Sequence, residues 1–192
     1  MKNRIIAELQ KRLKPGRFSH TLGVCETAVK LAKIHGVDLE KAELAALLHD
    51  IAKHEPDDKM LQAAKEMHFP LEEAYLETPN LLHGVMSAKI AKDEFGIDDE
   101  DILNSLIYHT AGRENMSLLE KIIYLADIAE PGRKIFSGIE EIRHAMSNNI
   151  NRAMILALRS SMTYVMQQEK LLIKDTVKAY NSLIAEELQK GT

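Results

Sequence analysis

Apolar residues return at every third or fourth position along almost the whole chain. Leu22, Cys25, Ala28, Val29 and Ala32 do so within 21–34, Leu82, Val85, Ala88, Ala91 and Phe95 within 80–96, and Ile155, Leu158, Met162 and Val165 within 153–168. That spacing marks one face of an α-helix. No run alternates polar with apolar β-branched residues, so no sheet is expected. Breakers divide the pattern into short helices. Pro15-Gly16 closes a first helix near 3–14, and a second, over about 17–35, stops at Gly36. Asp38 is the expected N-cap of a third over about 38–54. Pro56 with Asp57 and Asp58 opens one near 57–67, and Pro70 and Pro79 bracket a short helical piece. Asn80 is the expected cap of 81–95, which stops at Gly96. Asp98 caps a helix ending near Gly112, and Ser117 one ending before Pro131-Gly132. Helices near 138–149, 150–168 and 175–190 complete the chain. With short connections and no repeat, the pattern predicts an all-α fold, a single-domain bundle of about ten helices over 1–192.

Composition narrows this picture. The 192 residues are 45% hydrophobic and 28% charged, both ordinary for a globular chain. The net charge of −4 argues against a generalised basic surface, so no nucleic-acid polymer is expected as partner. A single cysteine, Cys25, cannot form an internal disulfide, which suits a reducing compartment. No stretch reaches eighteen consecutive apolar residues, so no membrane span is expected. The opening MKNRIIAELQKRLK is amphipathic and lacks the apolar block of a signal peptide, so a cytoplasmic location is expected. With 5% aromatics and no tryptophan, the core must be aliphatic. Eight histidines are more than such a core needs.

The strongest local signal is Leu47-Leu48-His49-Asp50-Ile51-Ala52-Lys53. On a helix, His49 continues the small apolar stripe of Ala42, Ala45 and Ala46 and should point inward. Asp50 lies about 100° further round, and Lys53 follows at i+4 and i+3. A buried carboxylate is costly unless paired or bound to a metal. Taken singly, a His-Asp dipeptide is most often a hydrogen-bonded pair on a surface. Its company changes that reading. His20 follows Arg17-Phe18-Ser19, His83 precedes Gly84, which permits close approach of another segment, and His109 precedes Thr110 near a helix end. Asp127 continues the stripe of Leu119 and Ile123, so it should face the core. The steps are 29 residues from His20 to His49, 33 from Asp50 to His83, then 26 and 18 to His109 and Asp127, each about one helical hairpin. Four histidines and two aspartates make a mixed nitrogen and oxygen set suited to iron, manganese, zinc or nickel rather than calcium. With one carboxylate bridging, six such donors can hold two ions. Two ions about 3.5–4 Å apart activate water and polarise phosphoryl oxygens.

The order His20 … His49-Asp50 … Asp127 resembles the HD superfamily of metal-dependent phosphohydrolases, and His83 and His109 resemble its two-metal branch. The blocks Arg17-Phe-Ser-His20, Leu-Leu-His49-Asp50-Ile-Ala-Lys53, Leu-His83-Gly84, Tyr-His109-Thr110 and Ala-Asp127-Ile-Ala-Glu130-Pro131-Gly132-Arg133 together are similar to the YqeK-like family of symmetrical diadenosine-tetraphosphate hydrolases. The similarity runs from about residue 3 to Ala179-Tyr180-Asn181. It implies a metal-site core over about 17–133, with His20, His49, Asp50 and Asp127 on a first metal. His83 and His109 would complete a second site, with Asp50 bridging, or would contact the phosphates directly. Iron is the metal implied, with manganese or another divalent transition metal as substitute. Arg17, Lys53, Thr110 and Arg133 would bind the polyphosphate, and Leu172 to Thr176 would close over the nucleotide. The reactive group would be Asp50, Lys53, His83 and His109. The implied reaction cuts a dinucleoside tetraphosphate into two nucleoside diphosphates, and the resemblance is compatible with a homodimer. Two rivals remain: another HD phosphohydrolase (a nucleotidase or a phosphodiesterase), and a non-catalytic nucleotide-sensing module. No Gly-Tyr-Pro signature follows His83 or His109, which weighs against a cyclic-dinucleotide phosphodiesterase.

The remaining candidates read as ordinary. His35, His54, His68 and His144 are solvated or capping, Cys25 is small core filler, and Met154, Met162 and Met166 belong to the core. The acidic run from Asp98 to Asp101 complements a helix N-terminus and lacks the spacing of a calcium loop.

Overall fold

Residues 1–190 are described by the structure, a computed structural model. Helix α1 (Lys2–Arg12) ends as Leu13 turns extended, and α2 (Pro15–His35) follows. Pro15 takes the first position of α2, where its missing N–H costs nothing, so Pro15-Gly16 opens α2 as well as ending α1. Gly36 closes α2 in the left-handed conformation at φ 72°, and its N–H donates to the Ala32 carbonyl. Asp38 caps α3 (Leu39–Leu48) by accepting from the Lys41 N–H.

The expected helix over 38–54 stops short. After Leu48 the backbone continues as tightened turns, with Ile51 bonded back to Leu48, Lys53 to Asp50 and Glu55 to Ala52. Two causes are visible. The His49 ring bonds the Ala46 carbonyl and so competes for the helical acceptor. Further on, Pro56 disfavours helix at the residue before it. Next come α4 (Asp57–Glu66) and the short α5 (Glu73–Glu77). A 3-10 turn, Pro79–Leu82, then leads into α6 (His83–Phe95). Asn80 therefore lies inside that turn and does not cap α6; its side chain donates to the Lys53 carbonyl. Helix α7 (Glu100–Tyr108) is capped by Asp99 instead of Asp98, because the Asp99 carboxylate accepts from the N–H groups of Asp101 and Ile102. Helix α8 (Leu118–Ala129) opens with the reciprocal capping box of Ser117 and Glu120. The chain ends with α9 (Ile139–Met146), α10 (Ile150–Gln167) and α11 (Lys174–Lys190). Among the described residues there are eleven α-helices and no strand.

Helix α2 packs on α3 and α8, α6 on α7, α7 on α8, and α9, α10 and α11 stack in sequence. Leu31, Leu47, Leu48, Ile51, Leu106, Leu119, Ile122 and Ile123 fill the centre, fully buried. Each such side chain stabilises the fold by roughly 1.5–3 kcal/mol. A smaller cluster of Met60, Tyr75, Leu82, Val85, Ala111 and Ile173 closes the other side of α6. Met154 joins the core, but Met162 is half-buried and Met166 is 56% exposed, because the last turns of α10 run out into solvent. Cys25 is half-buried against the core, and burial pushes its thiol up to about 11. His54, His68 and His144 are exposed, while the half-buried His35 ring bonds the Met146 carbonyl closing α9. Among the described residues no helix is long and apolar enough to cross a membrane.

Candidate metal centre

The six sequence-predicted donors meet in one cleft, brought there by helix ends. His49 terminates α3, His109 terminates α7, and His83 follows the 3-10 turn as the first residue of α6. His20 lies in the second turn of α2 and Asp127 near the end of α8. Helix α7 crosses α6 at Gly84, where an added Cβ would sit 2.5 Å from the Leu106 carbonyl oxygen and 3.2 Å from the His109 ring. Only glycine permits that approach, so Gly84 is what lets His83 and His109 touch.

The donors form two groups that share Asp50. In the first, His20 Nε2 lies 2.9 Å from Asp127 Oδ1 and 3.8 Å from Asp50 Oδ2, and His49 Nε2 lies 3.2 Å from Asp50 Oδ2. In the second, His83 Nε2 lies 3.0 Å from Asp50 Oδ1 and 3.0 Å from His109 Nε2. The two oxygens of Asp50 thus face different groups. Within each group the candidate ligand atoms all lie within 4.8 Å of one another.

Hydrogen bonding assigns the tautomers. The Nδ1 of His49 donates to the Ala46 carbonyl, that of His83 to Asn80 and that of His109 to Leu106, at 2.6, 2.6 and 2.7 Å. Carbonyl oxygens only accept, so each neutral ring keeps its proton on Nδ1 and turns an Nε2 lone pair into the cleft. The His49 Nε2 is buried without any hydrogen-bond partner. Lone pairs and carboxylate oxygens converging on one space call for a cation, and a divalent metal is the cation this donor set suits. The ionisation of the cluster is divided. Burial opposes the charged form of His49, yet Asp50 and Asp127 raise its pKa above the ordinary value. Burial pushes His109 down to about 3, with His83 and His49 adding to the shift, so its ring is neutral. Burial opposes the charged form of Asp50, yet the neighbouring His49 and His83 hold its carboxyl well below the usual range. Asp127 is likewise held low against its burial by His20 and Arg133.

Cations rim the cleft. Arg17 Nη1 donates to Asp50 Oδ2 at 2.8 Å, and Arg133 donates to Asp127 Oδ1 at 2.6 Å and to its backbone carbonyl at 2.8 Å. Lys53 leans towards His83, about 3.2 Å from its ring nitrogens and 3.9 Å from Asp50. Burial lowers the Lys53 ammonium although Asp50 and Asp127 oppose this. The Thr110 hydroxyl adjoins the cluster but is turned onto the Leu81 carbonyl at 3.4 Å. In Leu172 to Thr176, the Lys174 N–H donates to Glu72, and Ile173 packs in the smaller core with Leu82 and Ala111, the chain neighbours of His83 and Thr110. One residue escaped the sequence reading. Glu130, buried beside Asp127, accepts from His20 Nδ1 at 3.0 Å. Its place three residues after Asp127, just past the end of α8, is the signal the sequence offers.

The HD domain family model matches residues 17–132. The chain is 40% identical over 93% of its length to a symmetrical bis(5'-nucleosyl)-tetraphosphatase of Halalkalibacterium halodurans, of which it covers 95%. It is 38% identical over 94% of its length to the protein of the same name from Bacillus subtilis, of which it covers 96%. A crystal structure from Clostridium acetobutylicum, described as an HD superfamily hydrolase involved in NAD metabolism, superposes with a TM-score of 0.92 at 40% identity, covering 97% of this chain and 98% of that one. With its His-Asp doublet at the meeting point of both donor groups, the chain belongs to the HD domain family.

Proposed function

We propose that this chain is a metal-dependent hydrolase of dinucleoside polyphosphates that cuts diadenosine tetraphosphate symmetrically into two ADP. The observation that carries the reading is Asp50, one carboxylate serving two donor groups inside a rim of Arg17, Lys53 and Arg133. The names of the relatives support the substrate class. In this reading residues 1–192 act as one domain. His20, His49, Asp50 and Asp127 would hold a first divalent ion, and Asp50, His83 and His109 a second. Iron is the proposed metal, and manganese the substitute. When bound, the ions supply Lewis acidity and a nucleophile at neutral pH.

The residues do the rest. Arg17 and Arg133 grip phosphate oxygens through planar forks, and Lys53 acts as a point charge. Thr110 would add a hydroxyl donor once it turns away from the Leu81 carbonyl. Charge builds on the phosphoryl oxygens and on the departing ADP as the anhydride breaks, and fixed cations stabilise that state more than the ground state. Asp50, His83 and His109 orient the attacking water. Cutting the central anhydride of four phosphates gives two identical products. Product chromatography of diadenosine tetraphosphate incubated with protein and Fe²⁺ or Mn²⁺ should show ADP alone. ATP with AMP would refute the symmetrical cut. Turnover undiminished in His49→Ala would refute the centre.

A further inference from the structure

Three of the four histidines in the centre are held by one device and the fourth by another. His49, His83 and His109 stand at helix ends, and each gives its Nδ1 proton to the backbone carbonyl three residues back. For His49 and His109 these are carbonyls of a helix's last turn, while the Asn80 carbonyl accepts both the backbone N–H and the ring of His83. His20 sits inside α2, where the carbonyl three residues back belongs to Arg17 and already accepts the Thr21 hydroxyl at 3.0 Å. Its Nε2 faces Asp127 Oδ1 at 2.9 Å; its Nδ1 needs an acceptor from elsewhere, and Glu130 just past the end of α8 provides it.

The surroundings of Glu130 are shaped for that task. Its Oε1 faces His20 Nδ1, and its Oε2 accepts the Gly132 N–H. An added Cβ at Gly23 would lie 2.7 Å from Oε2, and one at Gly132 would lie 3.0 Å from it. Neither position tolerates a side chain while the carboxylate stays where it is. From behind, Arg143 holds the backbone carbonyls of Ala129 and Glu130 at 3.0 and 2.9 Å.

We propose that Glu130 is a positioning residue: it fixes the proton of His20 on Nδ1 and aims Nε2 at the first donor group, where the ring would serve as a metal ligand. The proposal rests on the metal reading above. A carboxylate on the far nitrogen of a ligating histidine strengthens and orients it, and loss of such a partner typically costs about 10–100-fold in metal affinity.

The test titrates metal-free wild type, Glu130→Ala, Glu130→Gln and His49→Ala with Co²⁺, followed by calorimetry and the visible spectrum, with thermal melts of the metal-free forms. The ¹⁵N shifts of the histidines in metal-free protein report the His20 tautomer independently. Wild type should bind, and Glu130→Ala should bind about 10–100-fold more weakly with a mixed His20 tautomer. Glu130→Gln keeps an acceptor oxygen, so it should recover the tautomer and part of the affinity. If Glu130→Ala does not fold, Glu130→Gln decides, with a loss of about tenfold expected. Wild-type affinity and spectrum in both Glu130 variants would overturn the proposal. Absence of Co²⁺ binding in wild type would overturn the metal reading itself, while an unchanged tautomer in Glu130→Ala would overturn the role of Glu130 alone.

Discussion

Lys53 separates holding a metal from handling a phosphate. Its ammonium lies beside His83 and Asp50 without being a member of either donor group. Lys53→Ala should therefore lower kcat by about 10²–10³-fold, the usual effect of deleting one group that stabilises developing charge. Steady-state kinetics with elemental analysis would check this, with metal content expected to hold; loss of the metal would make Lys53 a structural partner of Asp50. At this scale the six donors were legible from residue type, order and spacing. Glu130 was not. An acid before Pro-Gly looks like an ordinary helix end, and its task depends on an empty Cβ position at Gly23, a neighbour in space and remote in sequence.

Among the elements, caps were read more accurately than lengths. Gly36, Asp38 and Ser117 act as expected because their chemistry is local. Helix α3 is shorter than its periodicity suggests because ring capture of a carbonyl by His49 and the tightened turns after it leave no trace in periodicity. Asp98 and Asp99 are adjacent acids that periodicity cannot rank, and only Asp99 reaches the N–H groups of α7. Its carboxyl is held below its ordinary value by Lys41 first and then, against some burial, by those N–H groups. A lowered folded value means that the stabilisation is complete above the unfolded pKa and is lost as pH falls through the folded one. Asp99→Ala should then cost about 0.5–2 kcal/mol at neutral pH. The difference should close as pH drops below about 4, as read by denaturant unfolding across that range.

For the whole molecule, the expected all-α bundle and the convergence of distant histidines both hold. Helix-period stripes and a globular composition were enough to indicate the architecture. The neighbours of Leu172 to Thr176 were not readable, since they depend on how Ile173 packs beside Tyr75 and Leu82. A ligand that binds only the folded chain stabilises it, by about 2.7 kcal/mol at a hundred times its Kd. For a chain of this size that is a rise of roughly 5–10 °C in Tm. Calorimetric scans with and without Mn²⁺ should show it in wild type and not in Asp50→Ala.

His20 and Asp127, 107 residues apart, face each other across the cleft. An ion gripped by both would act as a clasp, enclosing α3 to α7 in a loop and leaving α1 and the helices from α9 onward outside it. Local opening that begins in those outer helices would then leave the enclosed part shut. Glu130 lies three residues beyond the clasp, so loosening that starts at the carboxyl end would reach the support of His20 before it reached any of the ligands.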